Sequence, residues 1–190
     1  MSSLQDAAQR LLEALHETGV KHAIGGSFAS SIHGIARATQ DIDMIVDLPL
    51  ARVKDFRDAI CKEFYVDEES MRDAIRRGMS FNVIHFDSGF KFDLFIASRH
   101  PLGHEQIAHS TSTNTALLGG DPMQVPVISA EDIILAKLLW YREGGEVSER
   151  QWNDLVNLIA VQGDRVDRDY LQQQASRLRI ADLLQRLWSG

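Results

Sequence analysis

The stretch Ile24-Gly25-Gly26-Ser27, followed by Arg37-Ala38-Thr39-Gln40-Asp41-Ile42-Asp43-Met44-Ile45-Val46, decides how the chain is read. A short apolar piece, Ala23-Ile24, enters a glycine pair, and Ser27 is a good N-cap for a helix through His33 that Gly34 ends. A glycine turn between strand and helix lets an anion approach the backbone, where the free amides at the helix start favour negative charge. Ile42-Asp43-Met44-Ile45-Val46 then reads as a buried strand closed by Asp47-Leu48-Pro49. Side chains alternate along a strand, so Asp41 and Asp43 share a face while Ile42 and Met44 take the other.

A third carboxylate lies further on. Phe81 to Phe86 and Lys91 to Ile96 read as two strands joined across Asp87-Ser88-Gly89, with Asp93 in the middle of the second. Buried unpaired carboxylates are costly unless a cation or donors compensate. Each aspartate alone has a plain structural role, but the set beside a phosphate-type turn points to a divalent metal. Magnesium, or manganese in its place, is expected, because such ions take oxygen ligands from carboxylates and substrate phosphates. Gly119-Gly120 and Gly144-Gly145 lack the strand before and the capped helix after that distinguish the first pair.

Around this centre the spacing predicts an N-terminal amphipathic helix carrying Leu4, Ala7, Ala8, Leu11, Leu12 and Leu15 and ending near Thr18-Gly19. A second apolar helix face is expected from Val53, Phe56, Ile60, Cys61 and Phe64, with Cys61 in packing. Met71 to Arg77 reads as a short polar helix. The pattern from Ser98 to Asp121 is weak, with one helix through Ile107-Ala108; Pro101 disfavours alignment of His100 and His104 as metal ligands. Gln124 to Ile128 is expected as a short edge strand because proline removes a ladder donor. Ser129-Ala130-Glu131-Asp132 opens a helix in capping style, and the rest is helix: Ile133 to Tyr141, Glu149 to Ala160, Asp169 to Arg177 and Ile180 to Leu187. The fold class is therefore α/β (α+β): a small mixed-sheet domain over residues 1–128, followed by a C-terminal helical domain over 129–190.

Composition narrows the classes. A chain of 190 residues that is 44% hydrophobic can bury a core, which disfavours disordered and fibrous classes. The net charge of −7 disfavours a surface generally coated for nucleic acid. Cys61 is the only cysteine, so no disulfide forms within the chain. The opening residues lack a basic-then-apolar leader, and no run approaches the roughly 20 apolar residues that span a bilayer. A cytoplasmic protein with no membrane partner is expected.

Taken together, Ile24-Gly25-Gly26, Asp41-Ile42-Asp43 and Phe92-Asp93-Leu94 resemble the motif of the nucleotidyltransferases of the DNA polymerase β superfamily. The segment from Arg37 to Asp43 is similar to the minimal bacterial branch that includes AbiEii-type toxins. In that branch a later helical region carries a lysine, arginines and an aspartate, which Lys137, Arg142, Arg150 and Asp154 match. The resemblance implies a small nucleotidyltransferase domain and transfer of a nucleoside monophosphate from a nucleoside triphosphate, ATP among the candidates, with release of pyrophosphate. It implies Asp41, Asp43 and Asp93 as metal ligands and catalytic groups, with Gly25, Gly26, Ser27, Arg37, Thr39 and Lys137 on the nucleotide side and Arg142, Arg150 and Asp154 on the substrate side. The acceptor stays open. A toxin modifying tRNA, with an antitoxin protein as partner, would need a basic track, for which Arg72, Arg76, Arg77, Arg142 and Arg150 are candidates; an aminoglycoside-type enzyme would need an acidic pocket, which the 27 Asp and Glu can supply. A catalytically silent nucleotide-binding module is the alternative from another class.

Overall fold

Alternating strands and helices give way to helices alone after residue 129. The computed structural model describes residues 4–35 and 41–189. Its elements are α1 (Leu4–Glu17), β1 (Lys21–Ile24), α2 (Gly26–His33), β2 (Asp41–Asp47), α3 (Val53–Ile60), β3 (Phe64–Tyr65), α4 (Glu68–Arg77), β4 (Ser80–His85), β5 (Lys91–Ile96), α5 (Gly103–Ala108), β6 (Thr111–Thr115) and β7 (Met123–Val127). Four helices follow: α6 (Ala130–Glu143), α7 (Glu149–Gln162), α8 (Arg168–Arg177) and α9 (Ala181–Ser189). Arg37 and Thr39, both expected on the nucleotide side, lie outside the described residues.

The strands form one seven-stranded sheet in the order β3-β4-β5-β2-β1-β7-β6. The central pair, β2 and β5, runs parallel, while β1 lies antiparallel to β2 on one side and β4 antiparallel to β5 on the other. Ile42, Met44 and Val46 of β2 and Phe92, Leu94 and Ile96 of β5 are buried, so one period-two face of each central strand is core. The same apolar cluster continues through Ile133, Leu138, Leu155, Leu171 and Leu184 into the helical region. No described helix is long and apolar enough to cross a membrane.

The mixed sheet, the β4–β5 hairpin and the C-terminal helices follow the expected pattern. Four local expectations are corrected. Gly25, not Ser27, is the N-cap of α2, and it supplies no side-chain bond. Helix α3 ends at Ile60, so Cys61 is an exposed C-cap residue and Phe64 begins a strand. Thr111-Ser112-Thr113-Asn114-Thr115 forms β6, which takes the sheet edge and leaves β7 inside it. Proline is tolerated in β7 because β1 pairs with it only at Ile24↔Val127, one residue past Pro126.

Candidate active site

Parallel pairing of β2 with β5 sets Asp43 beside Asp93 and Asp41 beside Lys91. Because these positions are two apart on each strand, all four side chains leave the same face of the sheet. The expected carboxylates are therefore brought together, along with a basic residue that sequence reasoning passed over. Lys91 Nζ lies 2.8 Å from Asp93 Oδ2 and 3.7 Å from Asp41 Oδ2. Its only sequence signal was the alternation Lys91-Phe92-Asp93, which puts a cation two residues before a carboxylate.

The glycine turn fits around Asp43. The Gly25 N–H donates to the Asp43 carbonyl over 2.9 Å. Gly26 has φ +55°, and a Cβ built there would fall 1.7 Å from Asp43 Oδ2, so only glycine leaves room for that carboxylate. The backbone N–H of Ser27 donates to the same carboxylate. Asp43 thus caps α2 from a neighbouring strand, which is why no residue of the turn does so, and the dipole at the helix start favours its charge.

That support does not offset the cost of ionising Asp43. Burial, followed by the charges of Asp41 and Asp93, raises its carboxyl from 3.8 to about 6, while the Ser27 amide and Lys91 oppose the shift. Lys91 is also shifted upward, which for an ammonium favours the charged form: its bond to Asp93, aided by the remaining carboxylates, holds it above the ordinary range against the pull of desolvation. Three carboxylates against one ammonium leave an excess of negative charge on this face.

Beside the carboxylates, Ser27, Lys137, Trp140, Ser148, Arg150, Gln151 and Asp154 line a cleft of about 290 Å³ between α2, α6 and the start of α7. Lys137 is buried and donates to Asp154 Oδ2 over 2.9 Å. Arg142 turns elsewhere, with Nε 2.8 Å from Glu146 and Nη2 2.6 Å from Asp182. The expected nucleotide-side and substrate-side residues therefore meet in part: Ser27, Lys137, Arg150 and Asp154 share the cleft, and Arg142 does not line it. Deeper on the carboxylate face, a narrow apolar pocket includes Asp43, Ile45, Phe95, Gln106 and Trp140 in its walls. The histidines diverge: His109 pairs with Asp132, His104 faces Asp47, and His100 is held below its ordinary range by burial.

No family model and no curated protein matches the sequence. Solved structures do match. The antibiotic-resistance factor ANT(2'')-Ia, described in solution, is 16% identical over 96% of each chain with a TM-score of 0.55. A crystal structure of that protein with adenylyl-2''-tobramycin gives 14% identity and a TM-score of 0.50 over 91% of this chain and 95% of that one. An antigenic nucleotidyltransferase-like protein from Paracoccidioides brasiliensis is 16% identical, with a TM-score of 0.56 over 97% of this chain and 92% of that one. The likeness spans both the sheet and the helical region, and the chain has the nucleotidyltransferase fold.

Proposed function

We propose that this protein transfers a nucleoside monophosphate from a nucleoside triphosphate to an acceptor hydroxyl, with magnesium as cofactor and pyrophosphate as the second product. The observation that carries this reading is the gathering of Asp41, Asp43 and Asp93 on one sheet face, at the start of a glycine-turned helix that borders a cleft containing Lys137 and Arg150.

The donor set suits magnesium in kind. It consists of hard carboxylate oxygens with an excess of negative charge, and ionising Asp43 without a further cation is costly. The arrangement is not a closed cage, since no three metal-binding side chains among the described residues are grouped closely enough to hold an ion. Asp41 and Asp43 would hold the ion, and Asp93 would complete a second position. When bound, the ion supplies positive charge to the α-phosphate and to the departing pyrophosphate.

The remaining work falls to the chain. Asp93 would orient an acceptor hydroxyl and take its proton. The Ser27 hydroxyl and the first-turn amides of α2 not used by Asp43 would cradle the β and γ phosphates. Lys137, shared with Asp154, and Arg150 offset triphosphate charge from the helical side. Arg37 and Thr39, next to Asp41 in sequence, are assigned to the nucleotide by resemblance alone.

A small cationic acceptor is the favoured class. Of the arginines considered for an RNA track, Arg72 is neutralised by Glu68, Arg77 by Asp73, and Arg142 by Glu146 and Asp182. The whole chain carries a net charge of −7. An acidic surface attracts amino sugars and repels phosphate backbones. Incubation with each α-labelled triphosphate, magnesium, a panel of aminoglycosides and total RNA tests this. Label in a small molecule supports the proposal, label in RNA would move the protein to the tRNA-modifying class with its antitoxin, and no label under any condition would leave a silent nucleotide-binding module.

A further inference from the structure

Among the described residues, Lys91 is a basic side chain in contact with the carboxylate cluster, and its backbone is fixed there. It pairs with Asp41 of β2 on one side and with Ile84 of β4 on the other, so it sits in the middle of the sheet rather than on a loop. Its ammonium can leave only by a change of side-chain rotamer. Where it now lies, 2.8 Å from Asp93 and 3.7 Å from Asp41, it spans two of the three carboxylates. The third, Asp43, is served instead by the Ser27 amide.

We infer that Lys91 is a resident cation of this cluster and competes with the divalent ion for the Asp93–Asp41 side. The inference rests on the metal reading proposed above and deepens it. A divalent ion entering that side would meet an ammonium only a few ångströms away, a repulsion that weakens its binding. Lys91 therefore keeps the nucleotide-free protein folded without metal, holds its affinity for a free ion low, and reserves the Asp93 side until its ammonium swings away.

The test is a titration of the purified full chain with Mn²⁺, read as free ion by electron paramagnetic resonance, without nucleotide. Lys91→Met should tighten Mn²⁺ binding on the order of tenfold or more, and Lys91→Arg, which keeps the charge, should stay near the parent affinity. In chelator, Lys91→Met should melt below the parent, and Mn²⁺ should restore it by a larger increment than it gives the parent. If Lys91→Met does not fold in chelator, Lys91→Gln, which keeps a polar contact to Asp93, replaces it. An unchanged or weakened Mn²⁺ affinity in the uncharged variants overturns the role of Lys91. Asp43→Asn separates the two levels: if it abolishes binding while Lys91→Met has no effect, only this inference fails. If Asp43→Asn binds Mn²⁺ as the parent does, or if parent and variants all fail to bind, the metal reading fails with it.

Discussion

At Gly26 the demand of the site is steric. Its φ of +55° already favours glycine, and a methyl group there would displace the Asp43 carboxylate. Gly26→Ala should therefore lower transfer by about a hundredfold or more, since misplacing a reacting group by an ångström has that effect. Gly25→Ala should remain within a few-fold, because the nearest atom to its added Cβ is 3.5 Å away. Comparing kcat/KM of the two variants checks the contrast. Asp43 makes a second prediction, on stability. Its folded-state value, about 6, lies above the unfolded 3.8, so the folded protein holds the extra proton between those limits. The stability given by the neutral carboxyl is present at low pH and lost as pH rises through about 6, by up to about 3 kcal/mol. The charged groups facing it are Asp41, Asp93 and Lys91. Melting in chelator should show that decline in the parent and a flatter profile in Asp43→Asn, with a higher melting temperature for the variant near pH 7. Glycine pair, carboxylates and their shared face were legible at this scale because each depends on local spacing. Lys91 was not, because its role arises only when β5 lies parallel to β2.

Among the elements, α2 shows how a local rule is overridden. Ser27 reads as an N-cap, but its backbone amide is taken by a carboxylate from β2, and no cap inside the turn is needed. β6 was missed for a different reason: its Thr111-Ser112-Thr113-Asn114-Thr115 sequence is polar because it forms an edge, and its threonines were the strand signal. Helix α6 was legible from its capping serine, Ser129, which accepts from the Asp132 amide; α7 opens the same way at Ser148, which accepts from the Gln151 amide, a cap the sequence reading did not use. Their buried Lys137–Asp154 pair supports another prediction. Lys137→Met alone should cost about 3–5 kcal/mol by leaving a carboxylate with its main charge partner removed. Adding Asp154→Leu should recover most of that stability in urea unfolding, as apolar replacement of a buried pair often does. Nucleotide affinity should not recover with it, and a double variant that binds the triphosphate as the parent does would reduce Lys137 to a structural role.

On the scale of the molecule, the sheet provides the carboxylates and Lys91 while the helical region provides Lys137 and Arg150 of the cleft, which exists only where α6 and α7 pack against α2. One apolar cluster runs through both parts. The likeness to solved nucleotidyltransferases likewise extends over 96% of the chain in one case and 97% in another. The acceptor was the least legible feature, because charge on a surface depends on which arginines find carboxylates once folded. The proposed function requires the carboxylate face to bind a nucleoside triphosphate through a divalent ion. Calorimetric binding of an α,β-methylene triphosphate with and without magnesium tests it most directly. Magnesium-dependent binding by the parent and a loss of about a hundredfold or more in a folded Asp43→Asn variant are expected; binding that ignores both magnesium and the substitution would contradict the proposed function.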